Sequence, residues 1–132
     1  MQPQIHLIDE AWIDAPVRTV SAVVADCANW RRWWPWLDLT VTRDRKLKGI
    51  QWVARSGSVS RRFGRSMPAL AGTVEIWLEP HRDGVILHHY LRLDPVDGRL
   101  SDRAAQAWTR RFAWHAKRVF WQLKDELEAG RR

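Results

Sequence analysis

Hydrophobic and polar positions recur with two different periods along the chain, and each change of period marks a new element. Residues 4–13 alternate as a strand does. Asp-Ala-Pro at 14–16 then marks a helix start, because proline is tolerated in the first helical turn. The apolar positions in 17–24 predict a short helix that ends near Asp26. A second short helix follows and stops at Pro35, since the residue before a proline disfavours helical backbone.

From residue 37 the period becomes two, which predicts an antiparallel run of four or more strands. Lys48-Gly49, Ser56-Gly57-Ser58 and Asp83-Gly84 are the turn signals, and residues 59–65 are weakly patterned. The strand positions predicted to face inward are Leu39, Val41, Ile50, Trp52, Val74, Ile76, Leu78, Leu87, His89 and Leu91.

The longest helix is predicted from about Ser101 to Glu128, a stretch without Gly or Pro. Ser101 or Asp102 can cap it, and Gly130 ends it. Its apolar stripe is Ala105, Trp108, Phe112, Ala116, Val119, Leu123 and Leu127. One strand, two short helices, an antiparallel run and a long helix make an α+β arrangement in which the sheet curls around the last helix.

Tryptophans are concentrated where the second short helix is predicted. Four of the ten in the chain lie within seven residues, at positions 30, 33, 34 and 36. They suit core packing, the wall of a ligand pocket, or a platform for nucleic-acid bases. Core packing is favoured, because buried aromatic residues in small domains are usually structural, whereas base stacking needs exposed rings beside a basic groove.

Composition is that of a globular protein, and 132 residues suit one domain covering 1–132. The single Cys27 has no partner for an internal disulfide, so we interpret it as a core or helix-packing thiol in a reducing compartment. No run of about 20 apolar residues and no signal-peptide pattern occurs. A cytoplasmic location is therefore expected.

The net charge of +7 is concentrated between Arg43 and Arg65, where eight basic residues stand against Asp44 alone. Such a segment favours nucleic acid, an anionic membrane or an acidic protein as partner; a solvated hairpin is the alternative. The basic residues are Arg43, Arg45, Lys46, Lys48, Arg55, Arg61, Arg62 and Arg65.

Several short stretches, in this order of elements, resemble a known family. They are Ile13-Asp14-Ala15-Pro16, Asp26 to Trp30 running into Trp33-Trp34-Pro35, Gly72-Thr73-Val74 and the Asp83-Gly84 turn, followed by the long terminal helix. Across nearly the whole chain they resemble the START-like (SRPBCC) helix-grip superfamily, and within it the polyketide cyclase/dehydrase and lipid-transport proteins. The resemblance implies a curved antiparallel sheet wrapped around the C-terminal helix. It also implies a cavity between the two that holds a lipid, a polyketide or another apolar molecule.

Residues expected to line this cavity are Trp36, Trp52, Ile76, Leu87, His89, Leu91, Trp108, Phe112 and His115. His89 stands alone among apolar positions, which suits a polar contact that orients a ligand. A core histidine whose hydrogen bonds are satisfied within the protein is the more common arrangement and is favoured.

No catalytic, cofactor or metal-ligand motif is found, so no catalytic residue is assigned and neither a cofactor nor a metal is expected. Binding of a small hydrophobic ligand is the first functional hypothesis. A polyketide cyclase or dehydrase is the second, in which a histidine tuned by burial serves as general acid or base. An interaction module that uses the basic segment 43–65 is the third.

Trp114 and Trp121 lie seven residues apart on the side of the last helix opposite its apolar stripe. They are expected to be exposed, with Arg111 and Arg118 beside them. Exposed tryptophans are enriched at interfaces, so one hypothesis for this face is a homodimer or another protein contact. The alternative is that nearby loops cover the rings or that each is exposed singly without a partner.

Overall fold

The computed structural model describes residues 2–56, 61–62 and 65–130, with the backbone alone for 61–62 and 65–66. Its helices are α1 (Val17–Val24), α2 (Cys27–Trp33) and α3 (Asp102–Ala129). Its strands are β1 (Ile5–Ile13), β2 (Leu37–Asp44), β3 (Gly49–Ser56), β4 (Arg61–Arg62), β5 (Arg65–Ser66), β6 (Leu70–His81) and β7 (Gly84–Pro95). This order of helices and long strands confirms the predicted α+β arrangement.

In the described part of the chain, an antiparallel sheet is formed in the order β1-β7-β6-β3-β2. The predicted Asp83-Gly84 turn joins its two longest strands, β6 and β7. The predicted Lys48-Gly49 turn lies at the end of a 3₁₀ helix, Lys46–Lys48, for which Gly49 is the C-cap. Gly49 has φ +133°, and a Cβ atom there would lie 2.0 Å from the carbonyl oxygen of Ile76. Glycine is therefore required where β3 meets β6.

The two short helices are held together by local hydrogen bonds. The Asp26 carboxylate accepts from the Ala28 N–H at 2.9 Å and caps α2. The Trp30 indole N–H donates to the Val24 carbonyl at 2.7 Å. The interpretation of Cys27 as a core thiol is wrong, because the thiol is exposed. Trp30 and Trp33 carry the buried face of α2, and Cys27 lies about 90° from it at 100° per residue.

Helix α3 begins as predicted, with the Ser101 hydroxyl accepting from the Ala104 N–H at 3.1 Å. It packs along β1, and its predicted stripe is buried up to Leu123, with Leu127 partly buried. His115 and Phe120 are also buried on this helix. In the described part of the chain, no helix is both long enough and apolar enough to span a bilayer.

Most strand positions predicted to face inward are buried, which confirms the alternation. Leu39 is half-buried, and the prediction for Val41 is wrong, because this side chain is 41% exposed. Both lie on β2, an edge strand that runs beyond the packed core and shifts register between Val41 and Arg43.

Candidate functional site

An aromatic cluster fills the space between the sheet and α3. Trp34 and Trp36 follow α2 with ring centroids 5.2 Å apart, and Trp36 stacks on Phe112 of α3 at 6.2 Å. Toward the sheet, the ring centroid of Trp30 of α2 lies 4.6 Å from that of Trp52 of β3. Trp30, Trp33, Trp34 and Trp36 are all buried. Their burial agrees with core packing, the favoured interpretation of this tryptophan-rich stretch, and it argues against an exposed platform for nucleic-acid bases.

His89 of β7 lies inside this cluster. Its ring is fully buried, 4.9 Å from the Phe120 ring and 6.3 Å from both Trp30 and Trp34. Neither ring nitrogen has a hydrogen-bond partner among the described residues. Burial lowers the pKa of His89 to about 3, so the imidazole is neutral at physiological pH. A neutral imidazole offers one donor and one acceptor, and both are unused by the described protein groups.

The indole nitrogen of Trp34, like the ring nitrogens of His89, is buried and has no hydrogen-bond partner among the residues that the structure describes. A buried polar group left unpaired costs about 1–3 kcal/mol, and most such groups in native proteins find a protein or water partner. The cluster therefore contains two neighbouring side chains, His89 and Trp34, able to hydrogen-bond a guest molecule.

His115 of α3, unlike His89, has a hydrogen-bond partner among the described residues. Its Nε2 lies 2.5 Å from the Trp33 carbonyl oxygen, to which it donates. Its ring meets Trp34 and Trp36 edge-on at 4.8 and 4.7 Å. These contacts tie α3 to the end of α2, so His115 has a clear packing role.

A small open pocket reaches the cluster from the surface between α2, β2 and β3. Cys27, Trp30, Leu39 and Trp52 are among the residues that line it, and its volume is about 190 Å³. Ligand sites commonly measure roughly 300–1,000 Å³. Because Trp30 both lines the pocket and lies 6.3 Å from His89, movement of this ring would extend the pocket inward.

The nine residues predicted to line a cavity are all buried, with exposures between 0 and 8%. The apolar members pack within one core, and Trp36, Phe112 and His115 meet in the aromatic cluster. Their role toward a ligand stays a prediction. Sequence reasoning left Trp30 and Trp34 out of this set, although both rings lie beside His89. Helical spacing indicates that they are buried but not which strand they approach.

The structure describes only part of the basic segment from Arg43 to Arg65. Arg43, Lys46 and Lys48 are exposed around the turn between β2 and β3, Arg45 is half-buried, and Lys46 lies 3.8 Å from the Asp44 carboxylate. The side chains of Arg61, Arg62 and Arg65 lie outside the described residues, as does the predicted turn at Gly57 and Ser58. An anionic partner at this segment stays a prediction.

Trp114 and Trp121 are exposed by 64% and 55%, which confirms their outward direction. The prediction of their neighbours is partly wrong, because the Arg111 guanidinium lies 5.0 Å above the buried Trp108 ring. Lys117 accompanies Trp121 instead, 5.9 Å from its ring centroid.

No protein-family model matches the sequence, and no curated protein matches it either. Several solved structures are similar in fold. TTHA0849 from Thermus thermophilus is 10% identical, with a TM-score of 0.61 over 95% of this chain and 98% of that chain. Protein Ms6760 from Mycobacterium smegmatis is 13% identical, with a TM-score of 0.61 over 96% and 93%.

A third similar structure has a described role. It is the di-domain ARO/CYC StfQ from the steffimycin biosynthetic pathway, 13% identical with a TM-score of 0.55. The match covers 95% of this chain and 51% of that one, so this chain corresponds to about half of StfQ. At such low identities these similarities concern the fold. They establish that this chain adopts the helix-grip fold.

Proposed function

We propose that the protein binds a small, largely apolar molecule with one neutral hydroxyl or carbonyl group, held around His89 between the sheet and α3. One observation carries this proposal: the His89 imidazole is fully buried and neutral, and no described residue uses its hydrogen-bonding capacity. The helix-grip fold adds support, because one solved structure of similar fold is an ARO/CYC protein.

The surroundings of His89 favour a particular class of ligand. Trp30, Trp34 and Phe120 present aromatic rings to it, which suits a flat or polycyclic guest. A carboxylate or phosphate placed there would lose its hydration, at a cost of several kcal/mol. Neutral hydroxyl and carbonyl groups cost less and can be paired by His89. Hydroxylated aromatic molecules therefore fit better than fatty acids.

Binding in this position requires the cluster to open, because aromatic side chains occupy the space between the sheet and α3. The pocket beside Trp30 and Trp52 is the entrance that needs the smallest change. Trp30 would leave its hydrogen bond to the Val24 carbonyl and turn away from His89. The 190 Å³ of the pocket would then be continuous with the space that this ring vacates.

The same properties of His89 favour binding over proton transfer. A general base works best with a pKa near the working pH, and a pKa of about 3 makes His89 a weak base at neutral pH. A cyclase or dehydrase would need a bound substrate to raise that pKa substantially. The neutral ring is already suited to donate and accept hydrogen bonds.

Naphthol and naphthalene, which differ by one hydroxyl group, provide the test. Naphthol should raise the melting temperature more than naphthalene, because a ligand of the native state stabilises it. It should also slow alkylation of Cys27, the only cysteine of the chain, which lines the entrance. His89→Leu should remove the difference between the two compounds, whereas His81→Leu, at an exposed histidine, should keep it. Equal responses of the wild-type protein to both compounds would contradict the proposal.

A further inference from the structure

The outward face of α3 is basic and aromatic along most of its length. Between residues 103 and 124 the helix has six cations and no acidic residue. Two exposed tryptophans lie among them. At 100° per residue, six exposed side chains fall within about 100° of arc. We name them the α3 stripe: Arg103, Arg110, Trp114, Lys117, Arg118 and Trp121.

The stripe combines ring surface with charge at close range. Lys117 lies 5.9 Å from the Trp121 ring centroid, and its ammonium is 3.4 Å from the Asp9 carboxylate. Arg110, Ala113, Trp114 and Lys117 surround a shallow hollow of about 140 Å³. Cations thus stand beside exposed indole rings and an apolar depression on one helix face.

We propose that the α3 stripe docks the protein on an anionic lipid surface. Indole rings are amphipathic and favour the boundary between headgroups and acyl chains. Arg and Lys near an anionic surface each strengthen binding by about five-fold. The stripe offers both on a convex helix face, so binding would be peripheral and reversible. The proposal does not rest on a ligand at His89.

Charge argues against a second copy of the chain as the occupant. A two-fold contact through the stripe would set its four cations against the same four cations, whereas the acidic residues beside it are fewer, namely Asp9 next to Lys117 and Asp125 after Trp121. Geometry argues against single-stranded nucleic acid. Trp114 and Trp121 stand about 10 Å apart along the helix axis on a convex surface, whereas stacked bases follow a groove.

Sedimentation with lipid vesicles tests the proposal. The wild-type protein should sediment with phosphatidylcholine vesicles containing about one third phosphatidylglycerol at ~0.05 M salt, and much less at ~0.5 M salt or with phosphatidylcholine alone. Arg110→Gln with Arg118→Gln should weaken binding by about 25-fold. Trp114→Gln with Trp121→Gln should weaken it by about ten-fold or more. Circular dichroism should show an unchanged fold, because all four side chains are exposed and lie outside the core.

Lys46→Gln with Lys48→Gln is the matched control, since it removes two cations from the exposed turn between β2 and β3. It should bind within about two-fold of wild type. Loss of binding in this control alone would overturn the proposal and assign docking to the basic segment. Absence of vesicle binding, or full binding by the tryptophan variant, would also overturn it. So would a wild-type dimer that the tryptophan variant dissociates, or an oligonucleotide bound through the stripe in the absence of vesicle binding.

Discussion

His89 and Trp34 lie with ring centroids 6.3 Å apart in the core, and each has a buried nitrogen without a hydrogen-bond partner among the described residues. Apolar side chains at both positions would avoid this cost, about 1–3 kcal/mol for each group. Residues that reduce stability in this way are expected where a protein binds or reacts. The pair therefore distinguishes the interior around His89 from an ordinary apolar core.

Replacing His89 by Leu should stabilise the protein and impair ligand binding together. Leucine has a similar size and leaves no unpaired polar atom, so the free energy of unfolding should rise by about 1–3 kcal/mol. Urea unfolding at neutral pH measures this change. A destabilised His89→Leu protein would show that the imidazole is already hydrogen-bonded in solution, and it would remove the main support for the ligand site.

Acid should destabilise the protein through the same residue. The pKa of His89 is lowered from 6.5 to about 3 by burial. Between these values the unfolded chain binds a proton that the folded protein does not, so stability falls as pH decreases from 6.5 toward 3. The contribution at pH 5 is about 2 kcal/mol. Unfolding at pH 7 and pH 5 should show this loss in wild type and in His81→Leu, but much less in His89→Leu. Equal losses in all three proteins would contradict the prediction.

Sequence patterns were sufficient for the framework of the molecule. Proline at 16 and 35, glycine at 49 and the period-two runs act locally, and they placed the helices, the main turns and the inward face of β7 correctly. These local patterns did not predict which elements distant in the sequence contact one another. Alternation placed His89 inside, but the approach of Trp30 and Trp34 depends on how α2 and the turn after it sit against the sheet. Val41 and Cys27 were misplaced because periodicity does not show where a neighbouring element ends.

His88 gives a second example of the same limit. Alternation assigns it to the outer face of the sheet, yet it is 7% exposed, because the Trp77 ring stacks on it at 4.3 Å. Its Nε2 lies 3.1 Å from a Glu79 carboxylate oxygen, and its Nδ1 lies 3.4 Å from a Glu10 carboxylate oxygen. This small outer cluster links β1, β7 and β6, the strands that carry these residues.

A double-mutant cycle should detect this outer contact. His88→Ala and Trp77→Ala should each destabilise the protein, and the pair should be coupled by about 0.5–1.5 kcal/mol, as stacked rings usually are. Chemical unfolding of the four proteins measures the coupling. Trp77→Ala combined with His81→Ala is the control cycle and should be additive, because His81 is exposed on the same strand. An additive result for His88 and Trp77 would show that the stacking contributes nothing to stability.

Trp30 should control the rate at which a ligand reaches His89. Trp30→Phe removes the 2.7 Å hydrogen bond from the indole to the Val24 carbonyl and leaves a smaller ring between α2 and β3. Loss of this buried hydrogen bond should lower the free energy of unfolding by about 1 kcal/mol or somewhat more, and naphthol should associate several-fold faster in stopped-flow fluorescence.

Trp12→Phe is a matched control, since the Trp12 indole also donates to a backbone carbonyl, that of His81 at 3.1 Å, but outside the core. Its association rate should equal that of wild type. An unchanged rate in Trp30→Phe would show that the ligand enters elsewhere, and a faster rate in Trp12→Phe would place the entrance at the edge of β1.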